Sequence, residues 1–68
     1  MILLTKINDV SITINSDLIQ YIEETPDTII TMANSEKVVV RERMTEIIDR
    51  VVQYRRSINN MFLKEYER

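Results

Sequence analysis

The 68-residue sequence contains no cysteine, no histidine, no glycine and no tryptophan. Without cysteine the chain has no disulfide and no thiolate zinc site, and without histidine it lacks the commonest remaining metal ligand. The serine–histidine and cysteine–histidine arrangements of nucleophilic catalysis are therefore excluded, as are the glycine-rich loops that bind nucleotides. We expect a protein that is not an enzyme and that holds neither a metal nor a cofactor.

The short length predicts a small hydrophobic core. Below about 70–80 residues a single core rarely supplies more than about 3–5 kcal/mol, and small domains add disulfides, a metal or a partner chain. The first two are excluded here, so we expect a homo-oligomer. A chain of this size also has little capacity to enclose the roughly 300 Å³ or more that small-molecule sites occupy.

Long apolar runs are absent as well. No segment approaches the roughly 20 apolar residues that a membrane-spanning helix needs. The opening residues, MILLTKIN, lack the basic leader and the small-residue cleavage site of a signal peptide. We therefore expect a cytoplasmic protein without a membrane span.

The charges that are present are unevenly placed. The net charge is −2; residues 1–40 are acidic and residues 41–68 are mildly basic. Nucleic-acid binding depends on a strong positive field. This balance does not favour a nucleic acid as the partner.

Short strands separated by turn residues fill the first 40 positions. Val10 to Ile14 alternate apolar and polar residues, which is typical of a half-buried strand. The segment Asp17–Thr31 reads as a central hairpin whose turn contains Pro26 and Asp27, residues that favour turns. The five predicted strands are Ile2–Ile7, Val10–Ile14, Leu18–Glu24, Thr28–Ala33 and Lys37–Val40. Several of them are apolar on both faces, which predicts cover on both sides of the sheet.

One helix follows the predicted strands. Apolar residues recur at three-and-four spacing from Met44 through Phe62, the amphipathic pattern. We predict a single α+β domain over residues 1–68, with the sheet in residues 1–40, a helix over about 43–63 and a tail over about 64–68 that frays. The fold class is an antiparallel meander of about five short strands, partly barrel-like, followed by one long C-terminal helix.

The strongest binding candidates lie on the helix. Arg50, Tyr54, Arg55 and Arg56 place an aromatic ring beside guanidinium groups, which bind acidic side chains, phosphate or another helix. A solvated helix face with one core tyrosine is the alternative, and the residues alone favour it slightly. A second candidate is the acidic group Glu23, Glu24 and Asp27 near the Pro26 turn, which we interpret as solvated turn residues.

Residues 1–56 resemble the FlbD/SwrD family of small flagellar and swarming-motility proteins. The resemblance lies in the order of the segments ILLTKIN, NSDLIQYIEETPDTIIT, KVVVRE and EIIDRVVQYRR. It implies a non-enzymatic cytoplasmic accessory of bacterial flagellar motility, which acts through protein–protein interaction with motor or other motility proteins to support motor output. The chain departs from the family where Asp9 and Ser35 replace the glycine of two turns, and where Arg43 replaces a Ser or Thr helix cap.

The run VSITINSDLIQYIEETPDTIIT also resembles the strand core of LytTR-type DNA-binding domains. This similarity implies an alternative function as a small DNA-binding or transcriptional regulator of motility genes. The negative net charge argues against it, because DNA affinity depends on the neutralisation of phosphates.

Overall fold

Five short strands precede one long helix in this protein. The computed structural model describes the backbone of residues 1–66 and the side chains of residues 1–58. The elements are β1 (Ile2–Thr5), β2 (Ser11–Ile14), β3 (Ile19–Glu24), β4 (Thr28–Met32), β5 (Lys37–Val40) and α1 (Met44–Tyr66). A short 3-10 turn over Ser16–Leu18, which the sequence analysis did not predict, joins β2 to β3.

The strands form two antiparallel sheets. β1 and β2 make a hairpin, and β3, β4 and β5 make a three-stranded meander in that order. The sheets meet just after β1, where the Ile7 N–H donates to the Val39 carbonyl at 3.2 Å and the Arg41 N–H donates to the Thr5 carbonyl at 2.8 Å. The predicted α+β class is confirmed; over the described residues the strands divide between two sheets that do not close into a barrel.

Two hairpin turns contain a residue with a left-handed backbone. Asp9 has φ 67° and Ser35 has φ 73°. Each follows an asparagine whose side-chain oxygen accepts a backbone N–H two residues further on, from Val10 at 3.3 Å and from Glu36 at 3.1 Å. Asparagine stabilises such turns through this bond, while a side chain at positive φ is disfavoured.

The core lies between the sheets and the inner face of α1. Alternation along β1 turns Ile2 and Leu4 inward, and Leu3 between them is 61% exposed. The fully and nearly fully buried apolar residues are Ile2, Leu4, Ile14, Ile30, Val40 and Ile47. Half-buried neighbours, among them Ile22, Val51 and Tyr54, pack around this cluster. The core is small, as the length of the chain predicts.

Helix α1 packs against β1 and β3 through one stripe of residues. Ile47, Val51 and Tyr54 lie at the three-and-four spacing that places side chains on one face. The helix begins at Met44 and continues to Tyr66, beyond the predicted end near residue 63. The tail predicted from residue 64 begins within this helix; its side chains and residues 67–68 lie outside the described residues.

The helix is longer than the sheet it covers. Its 23 residues span about 34 Å, whereas the six residues of β3 span about 20 Å. The molecule is accordingly elongated, with extents of 47 × 22 × 19 Å. The expected cover on both faces of the strands is only partly met within the chain, since the helix leaves Leu3 and Ile7 exposed.

Candidate functional site

The four candidate residues on α1 do not share one outward face. Tyr54 is half-buried and packs against the core. Arg50 lies on the flank of the helix nearest β1, and Arg55 lies on the opposite flank, near the 3-10 turn. Arg56 is exposed and makes no ion pair with another described residue.

Arg50 has a structural contact that the sequence pattern does not reveal. Its Nη1 donates to the Leu3 carbonyl at 2.6 Å and to Glu42 Oε2 at 3.3 Å. Both Glu42 oxygens accept the Thr5 N–H, at 2.9 and 3.1 Å. Glu42 and Arg50 therefore fasten the start of the helix to the edge of β1.

Glu24 caps the helix from β3. Its Oε1 accepts the Met44 N–H at 2.7 Å, one of the N–H groups that the first turn of a helix leaves without an intrahelical partner. Arg43 lies 3.7 Å from the same carboxylate. The interpretation of Glu24 as a solvated turn residue is therefore wrong: this side chain supplies the cap that Arg43 cannot.

Both carboxylates have lowered pKa values. The N–H of Met44 lowers the pKa of Glu24, with smaller contributions from Arg43 and Thr28, against an opposing effect of burial. For Glu42, burial raises the pKa, but the Thr5 N–H and the charge of Arg50 outweigh it, so the pKa is lowered. Hydrogen bonds to the two ionised carboxylates therefore favour their charged form in the folded protein.

Arg55 forms a weaker link. Its Nη2 donates to Asp17 Oδ1 at 2.8 Å, and both side chains are largely exposed. Exposed ion pairs contribute only about 0–1 kcal/mol. Arg55 therefore remains available to a partner, together with Arg56.

Tyr54 separates two open hollows on the surface. One, of about 420 Å³, lies between β1 and the helix and is lined by Leu3, Glu42 and Arg50 among others. The other, of about 190 Å³, is lined by Asp17, Tyr54, Arg55 and Ile58. Both are shallow surface features, suited to a protein side chain or segment better than to an enclosed small molecule.

A third hollow is apolar and was not predicted from the sequence. It measures about 230 Å³ and lies between β3 and the helix; its lining residues are Ser16, Ile19, Ile22, Ile48, Val51 and Val52. Ser16 is buried, and its hydroxyl has no hydrogen-bond partner among the described residues. The exposed Ile48 and Val52 are the signal in the sequence, since both lie one position outside the inward stripe.

Two other kinds of functional feature are absent from the described part of the chain. No group of three or more acidic residues there is arranged to hold a metal ion. No described helix has the length and apolar character that a membrane crossing demands.

The fold and surface define a small α+β protein whose charged side chains mostly tie the helix to the sheets and whose remaining features are open, shallow hollows. The chain belongs to the FlbD family of flagellar and swarming motility proteins, whose family model matches residues 1–59. This match confirms the resemblance carried by the four sequence segments. Neither the curated proteins nor the solved structures contain a match to the chain.

Proposed function

We propose that this motility protein is a non-enzymatic cytoplasmic adaptor that supports flagellar motor output by binding another motility protein. Membership of the FlbD family indicates the process in which the protein acts, which is flagellar and swarming motility. The observation that carries the binding mode is the exposed pair Arg55 and Arg56 on α1. Guanidinium groups bind carboxylates in a fixed fork geometry, so the partner that fits presents acidic side chains.

Of the four candidates, Arg55 and Arg56 are the two to test. Arg50 and Tyr54 contribute to the fold, so their loss would disturb the protein whether or not they touch a partner. Replacing Arg55 and Arg56 removes one exposed ion pair, which contributes at most about 1 kcal/mol.

We predict that Arg55→Ala combined with Arg56→Ala reduces swarming while the circular dichroism spectrum and the number of flagella per cell stay unchanged. A matched control is Lys37→Ala, which removes an exposed positive charge on β5, away from the helix. It should swarm normally. Normal swarming by the double variant would contradict the proposed face.

Self-association is the second part of the proposal. The core is small, and the exposed apolar side chains include Leu3, Ile48 and Val52. Burial of apolar surface against a second copy would add stabilisation of about 25 cal/mol per Å². We propose that the protein is a homo-oligomer.

The alternative function, a LytTR-like DNA-binding regulator, has less support. Four of the arginines are already paired with carboxylates: Arg41, Arg43, Arg50 and Arg55. The net charge of −2 also leaves no excess of positive charge, which phosphate binding needs. No described feature favours this function over the adaptor.

A further inference from the structure

The apolar hollow between β3 and α1 is shaped as a docking groove. Ile19 and Ile22 form one wall, and Ile48 and Val52 form the other. Ile48 is 50% exposed and Val52 is 39% exposed, so the helix wall is open to solvent. Exposed apolar patches that lie in a hollow mark interaction surfaces more often than isolated apolar side chains do.

Ser16 adds a second observation at the same groove. The residue is only 7% exposed, and its Oγ has no partner within the described part of the chain. A buried hydroxyl without a partner costs about 1–3 kcal/mol. An incoming segment that brings a polar group to this end of the groove would remove that cost.

The helix itself carries the segment that fits. Residues 48, 52, 55, 59, 62 and 66 recur at three-and-four spacing and share one face of α1. The face begins with Ile48 and Val52 and ends, in the sequence, with Phe62 and Tyr66. Its one charged member in the described part, Arg55, is already paired with Asp17 at 2.8 Å.

The groove cannot be filled by the tail of its own chain. Positions 52 and 62 are ten residues apart on one continuous helix, which is about 15 Å along the axis. Ile58 is the last described side chain that lines a hollow beside the sheet. The backbone of α1 continues for about 12 Å beyond it. A C-terminal helical segment that occupies this groove must therefore belong to another molecule.

We infer that the groove is occupied by the C-terminal turns of α1 from a second copy of the chain, in antiparallel pairing. Positions 48 and 66 are centred on residue 57, and so are positions 52 and 62. A single two-fold axis near residue 57 therefore places both apolar pairs in contact at once, which is the reciprocal geometry of a symmetric dimer. The same pairing sets position 59, an asparagine, opposite Arg55, at the end of the groove where Ser16 lies.

This inference rests on the proposed self-association but is independent of the role in motility. It leaves Arg56 outside the paired face, since residue 56 lies about 80° from the centre of the stripe around the helix. The dimer would therefore still present Arg56 to a partner. Because Arg55 lies within the paired face, the single variant Arg56→Ala separates the two ideas. It should reduce swarming and remain a dimer, whereas Val52→Glu should be monomeric.

The first test measures mass by light scattering at about 50 μM, a concentration well above a micromolar Kd. We expect twice the 8.1 kDa chain mass for the natural protein. Val52→Glu should reduce it to 8.1 kDa, because a carboxylate would be buried in the apolar contact, while Gln53→Glu on the exposed face should leave the dimer intact. A monomeric natural protein would overturn the inference, as would a dimer that survives Val52→Glu with its circular dichroism unchanged.

The second test fixes the register and does not depend on destabilising the protein. Because the chain has no cysteine, the double variant Val52→Cys with Phe62→Cys can be oxidised without background. Disulfides require Cα atoms within about 7 Å, so the two positions cannot bridge within one helix. We expect a covalent dimer under mild oxidation, and no more than background from Gln53→Cys with Phe62→Cys. Equal cross-linking in the two variants would overturn the antiparallel register.

Discussion

Two turn residues, Asp9 and Ser35, have the backbone geometry that glycine tolerates best. Ser35 has φ 73°, and its N–H closes the turn by donating to the Met32 carbonyl at 2.9 Å. The turn is otherwise well made, because Asn34 accepts the Glu36 N–H and Met32 donates to the Glu36 carbonyl. The strain therefore comes from the Cβ of one exposed residue.

We predict that Ser35→Gly stabilises the protein by about 0.5–1 kcal/mol. A left-handed residue with a Cβ costs roughly 1–2 kcal/mol, and the greater freedom of glycine in the unfolded chain offsets part of the gain. The measurement is the urea midpoint at a fixed protein concentration. Ser35→Ala is the control: it removes the same hydroxyl but keeps the Cβ, so it should give no gain. Equal stabilisation by both variants would refute the backbone explanation.

Asp9 has the same backbone geometry but is a less clean position for this test. Its carboxylate lies 2.6 Å from Arg41, and that ion pair joins the first turn to the residue after β5. Replacement of Asp9 by glycine would remove this contact together with the strain. Ser35→Gly therefore tests the backbone effect alone, whereas replacement of Asp9 by glycine would combine that effect with the loss of an ion pair.

At the scale of elements, local patterns predicted the strands and the helix, and distant contacts escaped them. The alternation of Ile12 and Ile14, or the spacing of Ile47, Val51 and Tyr54, depends only on neighbours along the chain. The helix cap comes from Glu24, twenty positions before Met44. The one available signal was negative: Arg43 stands where a helix needs an acceptor.

The candidate site was subject to the same limit. The chemistry of the four candidates on α1 can be read from the sequence, but the sequence does not say which flank of the helix meets a strand. Arg50 contacts the Leu3 carbonyl, 47 positions away, and only the packing of α1 beside β1 reveals this. The apolar groove likewise depends on β3 lying beside Ile48 and Val52.

We predict that Glu24→Ala lowers the stability of the protein more than Glu23→Ala does. The two residues are neighbours on β3, so the cost of alanine in a strand is similar in both. Only Glu24 accepts the Met44 N–H, and its loss leaves the start of the helix uncapped. Urea unfolding followed by far-ultraviolet circular dichroism measures the difference. Equal losses would mean that the cap contributes nothing to stability.

At the scale of the whole molecule, two carboxylates connect the helix to both sheets. Glu24 belongs to the three-stranded sheet and binds the start of α1. Glu42 precedes α1 and binds the Thr5 N–H of the two-stranded sheet. With few buried apolar residues, these links add to the packing of Ile47, Val51 and Tyr54 in fixing the helix in place. Both links are stronger when the carboxylate is ionised.

The sign of the pH dependence follows from the lowered pKa values. A carboxyl group whose pKa is lower in the folded protein than in the unfolded chain adds stability above its ordinary value of 4.5. As the pH falls below that value, the unfolded chain binds the proton first. The contribution is lost as the pH drops through the folded-state pKa, so the midpoint of urea unfolding should decline on the acidic side of 4.5.

We predict that Glu42→Gln costs about 1.5–3 kcal/mol at neutral pH, the range for a hydrogen bond to a charged group, and flattens this acid decline. The Glu42 side chain is only 10% exposed, and an amide can present an N–H to Thr5 where the carboxylate accepts. Glu23→Gln, on an exposed residue, should leave both the neutral stability and the acid decline nearly unchanged. Urea midpoints for the two variants and the natural protein from pH 7 to about pH 3 give the comparison, since this interval spans the ordinary and lowered values. If Glu42→Gln retains the full acid decline, the decline must come from other carboxyl groups and not from the link between Glu42 and β1.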